Sequence, residues 1–205
     1  MEQPPPYRPK KSNTGLIIGL VIGALVICCG GGAALLGGGA WFAFKKVGPM
    51  AKCSISLEAM AHAVTAYADA HGGKMPDADK WQDQVKDLYA KEIQKSDAKE
   101  QPFGTIPAEG EWGCEADGNV TTGIAFNAEL SGKKLADIKD QSNTIMLFEV
   151  KEHGRNLNAK YDATKVAEQP PERFGDPALF TVTVDGDTKM IGKGGKHVNI
   201  NFKGQ

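Results

Sequence analysis

A run of 33 residues without a charged side chain separates Lys11 from Lys45 in this 205-residue chain. The run begins with the aliphatic segment 15–23, Gly-Leu-Ile-Ile-Gly-Leu-Val-Ile-Gly, and ends with the aromatic cluster 41–44, Trp-Phe-Ala-Phe. A helix needs about 20 apolar residues to cross the hydrocarbon core of a bilayer, and aromatic side chains concentrate at the bilayer interfaces. We therefore expect a transmembrane helix over residues 15–44.

A cleaved secretory signal peptide is the main alternative, since Arg8, Lys10 and Lys11 resemble its basic start. Its apolar region spans about 7 to 15 residues, which is much shorter than the region found here, so a retained anchor is favoured. Residues 1–14 are rich in proline, and we expect an extended cytoplasmic tail. The positive charges on the two sides of the anchor are nearly balanced and do not decide its orientation alone.

Three glycines, Gly15, Gly19 and Gly23, recur at four-residue spacing in the first part of the run. On a helix they fall on one face, where the lack of side chains lets a second helix approach closely. Glycine is also frequent in membrane helices in general. The pattern therefore has two interpretations, helix–helix packing and ordinary composition.

The charge of the remaining chain argues against nucleic acid as a partner. Five of the 24 Lys and Arg and one of the 25 Asp and Glu lie before residue 51, which leaves 19 positive against 24 negative residues. A surface that binds phosphates is basic, whereas this part of the chain carries a net charge of about −5. Its length suits one globular domain, which we place at residues 49–205.

The first half of this domain has a helical pattern. Gly48-Pro49 is expected to interrupt the helix and restart it, because an interior proline removes a hydrogen bond. Apolar residues then recur at three- and four-residue spacing and predict an amphipathic helix that ends near His71, with Cys53, Leu57, Met60 and Val64 on its apolar face. Asp79 and Gln82 have capping-box spacing and predict the start of a second helix.

The second half has the pattern of strands. We predict strands at residues 144–150, 178–184, 188–191 and 197–202, with a hairpin turn at Asp185-Gly186. Glu149 is the one acid singled out for burial, since it lies inside an apolar strand, but glutamates near strand ends usually reach solvent. Residues 151–177 are polar and unpatterned, so we expect a long loop that is a functional or variable surface. The fold class predicted is α+β, a membrane helix and an amphipathic helix followed by a small antiparallel sheet.

This order of elements resembles type IV pilins and the pseudopilins of type II secretion. The resemblance is carried by residues 53–60 (Cys-Ser-Ile-Ser-Leu-Glu-Ala-Met), by 67–76 (Tyr-Ala-Asp-Ala-His-Gly-Gly-Lys-Met-Pro), by Cys114 and by 130–133 (Leu-Ser-Gly-Lys). It implies a pilin-like extracytoplasmic domain with a Cys53–Cys114 disulfide, which requires an oxidising compartment. The alternative is two unpaired thiols in a cytosolic domain.

Two features depart from the pilin pattern. Pilins carry a processing signal of the Gly-Phe-Thr-Leu-x-Glu kind at the start of the helix, whereas residues 13–20 read Asn-Thr-Gly-Leu-Ile-Ile-Gly-Leu and contain neither phenylalanine nor glutamate. The C-terminal motif of the pilin group with a histidine nine residues before Asp-Gly-His is reduced here to Asp185-Gly186. Processing and filament assembly are therefore both in question for this chain.

Calcium is the one cofactor that the resemblance suggests, since a related class of pseudopilins binds it. Asp176, Asp185 and Asp187 offer hard oxygen ligands, but a calcium site needs six to eight oxygens and an Asp-Gly pair is more often only a turn. No other cofactor is expected. The sequence has no phosphate loop, no Gly-x-Ser-x-Gly and no zinc-binding histidine pair, so we expect no enzyme.

These features predict a non-enzymatic, single-pass protein of the bacterial inner membrane, with its N-terminus in the cytoplasm and its C-terminal domain in the periplasm or outside the cell. Its expected partners are the membrane and other protein subunits, including further copies of itself, in a secretion, pilus-like or envelope assembly. The alternative is a stand-alone anchored binding module that enters no filament. The missing processing signal favours this alternative.

Overall fold

The computed structural model describes residues 33–95, 104–115, 121–166, 172–173, 176–192 and 196–198. The chain divides into two compact units, residues 40–199 and a smaller unit formed by residues 1–39 and 200–205. Of the smaller unit only residues 33–39 are described, and they are helical. The predicted tail, residues 15–32 of the predicted membrane helix, and Gly15, Gly19 and Gly23 all lie outside the described residues.

The longest helix is α1, Ala33–Ala70, which contains Pro49. The predicted interruption at Gly48-Pro49 was wrong. One interior proline removes one backbone hydrogen bond, and the turns that follow are held by burial of Cys53 and Leu57, which are 1% and 0% exposed. The predicted end near His71 is confirmed. Among the described residues, no helix combines the length and the apolar character needed to cross a membrane.

The second long helix is α2, Trp81–Lys95, which follows a 3-10 turn at Ala78–Lys80. Its first residue, Trp81, packs edge-on against Trp112 at a ring distance of 5.3 Å and stacks on Phe126 at 5.9 Å. Tyr89, two turns further along, lies 4.7 Å from the Trp112 ring and donates its hydroxyl to the Ile106 carbonyl at 2.7 Å. This buried aromatic cluster is the centre of the core, and burial raises the pKa of Tyr89 to about 12.

The strands form one sheet that confirms the α+β prediction. They are β1 (Gly113–Glu115), β2 (Thr121–Asn127), β3 (Ile145–Val150), β4 (Asn158–Ala159), β5 (Glu172–Arg173), β6 (Asp176–Thr183), β7 (Thr188–Gly192) and β8 (His197–Val198). The main order is β1-β2-β3-β6-β7-β8, with β4 beside β2 and β5 beside β6. All of these pairs are antiparallel except β2 with β4, which is parallel.

The predicted hairpin at Asp185-Gly186 is confirmed, because β6 and β7 pair on either side of it with Val182 opposite Thr188. The described part of β8 continues the antiparallel meander as predicted. The loop expected at residues 151–177 is in part structured. It contains β4 and β5 and a short helix, α3, at Ala163–Val166.

The central strand β3 is covered on both sides, which explains why its sequence is almost continuously apolar. On one face Phe148 lies opposite Ala125 of β2 and packs with residues that follow the strand, including Leu157 and Tyr161. On the other face Leu147 lies opposite Phe126, whose ring stacks on the first residue of α2. Side chains of one strand alternate between the two faces of the sheet, so β3 contributes to the packing on both faces.

Candidate functional site

A disulfide between Cys53 and Cys114 joins α1 to β1. The two Cα atoms are 5.3 Å apart, and each cysteine is 1% exposed. The pairing that the pilin resemblance implied is thus present. It fixes the helix to an outer strand of the sheet.

Glu149 lies directly beside this disulfide. One carboxylate oxygen and the two sulfur atoms are all within 4.8 Å of one another, and Glu149 is 0% exposed. The prediction that this glutamate reaches solvent was wrong. Its place on β3 explains the burial, because its backbone neighbour across the sheet is Ile124, on the face of β3 that the helices cover.

The carboxylate of Glu149 connects the two strands that flank β3. Oε1 accepts a hydrogen bond of 2.5 Å from the Thr122 hydroxyl on β2, and Oε2 accepts one of 2.5 Å from the Phe180 amide on β6. The backbone pairing of β3 with β6 ends at Phe148 and Thr181, one residue before this contact. The Glu149 side chain therefore continues the hydrogen bonding between β3 and β6 beyond the last backbone pair, and both of its oxygens act as acceptors.

A cavity of about 250 Å³ opens next to the disulfide. Its charged lining side chains have both signs and are Lys52, Glu111 and Glu115; Cys53, Cys114, Thr122 and His153 line it as well. The Lys52 ammonium lies 3.7 Å from the Glu115 carboxylate. The cavity thus has a charged rim and reaches the buried disulfide.

A second polar network joins the segment 154–158 to the start of α2. The Asn156 side-chain oxygen accepts hydrogen bonds from the backbone amides of Gln82 and Asp83 at 2.9 and 3.2 Å, so Asn156 caps this helix from a distant part of the chain. The predicted Asp79–Gln82 capping box was wrong. Asp79 instead accepts a hydrogen bond from the Asn158 side chain, and the side-chain amide of Gln82 donates one to the Gly110 carbonyl.

Asp83 completes this network at the surface. Its carboxylate accepts hydrogen bonds from Asn156 Nδ2 at 2.7 Å and from Arg155 Nε at 2.6 Å. These two hydrogen bonds, first from Asn156 and then from Arg155, lower the pKa of Asp83 below its ordinary value. The Trp81 indole adds a hydrogen bond of 2.8 Å to the Leu157 carbonyl, so the segment is held along its length.

The three calcium candidates do not converge on one site. Asp176 begins β6, whereas Asp185 and Asp187 follow its other end, and at ~3.3 Å per residue the ends of this strand are about 23 Å apart. Asp185 accepts a hydrogen bond from the Thr183 hydroxyl, and the oxygen of that hydroxyl accepts one from the Asp187 backbone amide. These contacts are typical of the turn that the Asp-Gly pair predicted.

Sequence reasoning missed the positions that organise both networks. Arg155 and Asn156 lie in a stretch without periodicity, and their partners on α2 are 72 to 74 residues away. The available signal was the tripeptide Gly154-Arg155-Asn156, which ends in an asparagine. Asparagine tolerates positive φ, and Asn156 does adopt a φ of 55°. Glu149 was singled out, but its neighbours were not foreseeable from spacing.

The chain was compared with family models, with curated proteins and with solved structures. None of the three comparisons finds a match. The resemblance to pilins and pseudopilins therefore stays a prediction from the residues that carry it.

Proposed function

We propose that this protein is a non-enzymatic, single-pass membrane protein whose pilin-like domain outside the cytoplasm acts through contacts with other proteins in a secretion, pilus-like or envelope assembly. The observation that carries the proposal is the connection of one long helix to an antiparallel sheet by the Cys53–Cys114 disulfide, directly after the apolar run. Disulfides persist in oxidising compartments, which supports a domain outside the cytoplasm.

A stand-alone anchored binding module is the second candidate. It is favoured by residues 13–20, which lack the glutamate and the phenylalanine of a pilin processing signal. The two candidates differ in the fate of the N-terminus. A processed pilin loses the proline-rich residues before the helix, whereas a permanently anchored module keeps them.

The anchor is tested by expressing the full chain in a bacterium and extracting the membranes at alkaline pH. We expect the protein to stay in the membrane pellet, and a variant with Leu20→Lys and Leu25→Lys to be released, because a lysine at the centre of a membrane helix costs about 3 kcal/mol. Release of the unchanged chain would contradict the anchor. Digestion of intact spheroplasts should remove the C-terminal domain and leave the N-terminus protected.

The intact mass of the membrane-bound protein separates the two candidates. A mass that includes residues 1–14 supports the stand-alone module and argues against pilin processing. A mass that starts at the helix supports the filament version, in which crosslinking in cells should also give a ladder of oligomers. A single crosslinked species with one partner supports the module.

A further inference from the structure

Strand β1 lies at one edge of the sheet in the described part of the chain, because it pairs with β2 on one side only. All five consecutive residues from Glu111 to Glu115 line the cavity of about 250 Å³. Alternate side chains of a strand point to opposite faces, so a cavity that touches every residue runs along the edge of the strand and not over one face. We refer to this cavity as the edge groove.

The edge of β1 offers backbone groups to the groove. The Trp112 carbonyl accepts a hydrogen bond of 3.0 Å from the Ile124 amide, in the same register as the pairing of β1 with β2. In an antiparallel ladder, residues that are hydrogen-bonded to the partner strand alternate with residues whose amide and carbonyl point away from it. The amides and carbonyls of Gly113 and Glu115 therefore point away from β2, toward the groove.

The volume and the lining of the groove suit one side chain of a bound segment. Pockets for small molecules span about 300–1,000 Å³, so the groove is below their usual range. Pro49, Ile106 and Trp112 supply an apolar wall, and the Cys53–Cys114 disulfide lies beside it. A single large aliphatic or aromatic side chain matches this space.

The charges along β1 discriminate between occupants. Short edge strands with charged side chains commonly resist unwanted pairing. If a second copy of the chain were added antiparallel and centred on Gly113, Glu111 of each chain would lie opposite Glu115 of the other, and like charges directly opposite each other are destabilising. Glu111 is exposed and forms no ion pair with another described residue, so a lysine or arginine beside it is favoured instead.

We propose that the edge groove binds an extended segment of another protein, which adds to β1 as a strand, places one large apolar side chain in the groove and sets a lysine or arginine beside Glu111. In strand addition, backbone hydrogen bonds supply affinity and pockets for alternate side chains supply specificity. The disulfide and the ion pair of Lys52 with Glu115 stay intact. The inference rests on the proposed function, since it names the surface for the protein contacts.

The test uses the full chain in a mild detergent, with its disulfide intact, and a phage-displayed library of random nonapeptides as the probe. We expect the selected peptides to alternate apolar residues and to carry a lysine or arginine. The best binder is then synthesised with one N-methyl group at each amide in turn. Methylation should weaken binding at least about tenfold at every second amide of the contact and less than about threefold at the amides between them.

Hydrogen exchange observed by NMR locates the bound peptide. The amides of Gly113 and Glu115 should become protected when the peptide is added, because they donate to its carbonyls. The amide of Cys114 faces β2 and should not change.

Two charge reversals test the role of Glu111. Glu111→Lys should weaken binding of the selected peptide about three- to tenfold, because an attraction becomes a repulsion. Glu109→Lys is the matched control, since Glu109 is also exposed but does not line the groove, and affinity should stay within about twofold. Near-ultraviolet circular dichroism checks that both variants are folded, and Glu111→Gln replaces Glu111→Lys if the latter is not.

The proposal is overturned if no peptide is selected, if N-methylation shows no alternation, if the Gly113 and Glu115 amides stay unprotected, or if Glu111→Lys binds as well as Glu109→Lys. None of these outcomes contradicts the proposed function, because crosslinking in cells detects protein contacts through any surface of the domain. An absence of crosslinked proteins in cells contradicts the proposed function and is measured separately from peptide binding.

Discussion

An acid in the middle of an apolar sheet is stable only when its oxygens are hydrogen-bonded, and Glu149 finds its donors on both flanking strands. Thr122 and Phe180 come from different parts of the sequence, and each loses one buried hydrogen bond if the carboxylate is removed. The residue therefore acts as a polar link between β2 and β6 across β3. Its free-energy contribution depends on both contacts.

We predict that Glu149→Ala lowers the free energy of unfolding by about 2–4 kcal/mol, because it removes two hydrogen bonds between buried groups and creates a cavity. Glu149→Gln should cost less, about 1 kcal/mol, since one amide oxygen can still accept from Phe180. Urea unfolding followed by tryptophan fluorescence measures both. Glu115→Gln, at the exposed rim, is the control and should change stability by less than about 0.5 kcal/mol. Equal effects of Ala and Gln would argue against the hydrogen bonds.

Helix α2 begins where a distant asparagine caps it. Asn156 accepts from the amides of Gln82 and Asp83, and its own φ of 55° turns the chain so that the side chain reaches them. Capping motifs that are read from sequence assume a partner within one helical turn. A cap supplied from more than 70 residues away has no such local pattern, which is why Asp79 was assigned the role.

Asn156→Ala should lower the free energy of unfolding by about 2 kcal/mol, because it removes the cap and puts at positive φ a residue that tolerates this conformation less well than asparagine. Asn156→Gly also removes the cap, but glycine adopts positive φ freely. We therefore expect this variant to lower the free energy of unfolding by only about 1 kcal/mol. Urea unfolding midpoints report the difference. Asn158→Ala is the matched control, since its side-chain amide donates two exposed hydrogen bonds of 3.2 Å, to Asp79 and to the Asn156 carbonyl, and caps no helix. An unchanged midpoint in Asn156→Ala would contradict the capping role.

The surface part of the same network predicts a pH dependence. Hydrogen bonds from Asn156 and Arg155 lower the pKa of Asp83 in the folded chain below its ordinary value of 3.8. A lowered pKa adds stability that is complete above the unfolded pKa and is lost as the pH falls through the folded pKa. The stability difference between the unchanged chain and Asp83→Asn should therefore be constant near neutral pH and shrink at acidic pH. A difference that grows on acidification would show the opposite sign of linkage.

At the level of the whole domain, the sequence predicted the parts whose signal is local. The end of α1, the apolar face with Leu57 and Met60, and the hairpin at Asp185-Gly186 all follow from periodicity or turn chemistry, and all are present. The parallel pairing of β4 with β2 was missed because β4 has two residues, too few for an alternating pattern. The surroundings of Glu149 were missed because they combine three strands from separate regions.

The disulfide makes the largest single contribution that we predict for the domain. It closes a loop with a sequence separation of 61 residues, and the chain-entropy model gives about 4 kcal/mol for a loop of this size. Reduction should lower the urea midpoint accordingly, and non-reducing electrophoresis should separate the two forms. Identical mobility with two titratable thiols in the denatured domain would contradict the bond.

The same bond determines how the domain responds to a pulling force. Tension applied between the two ends of the chain passes along α1 to Cys53 and then directly to Cys114, so residues 54–113 carry none of it while the bond is intact. These residues include α2 and its part of the aromatic core. At ~3.3–3.6 Å per residue, the loop withholds about 200 Å of chain from extension. A load on the helix would stretch the sheet strand by strand, while the disulfide keeps residues 54–113 from being pulled out.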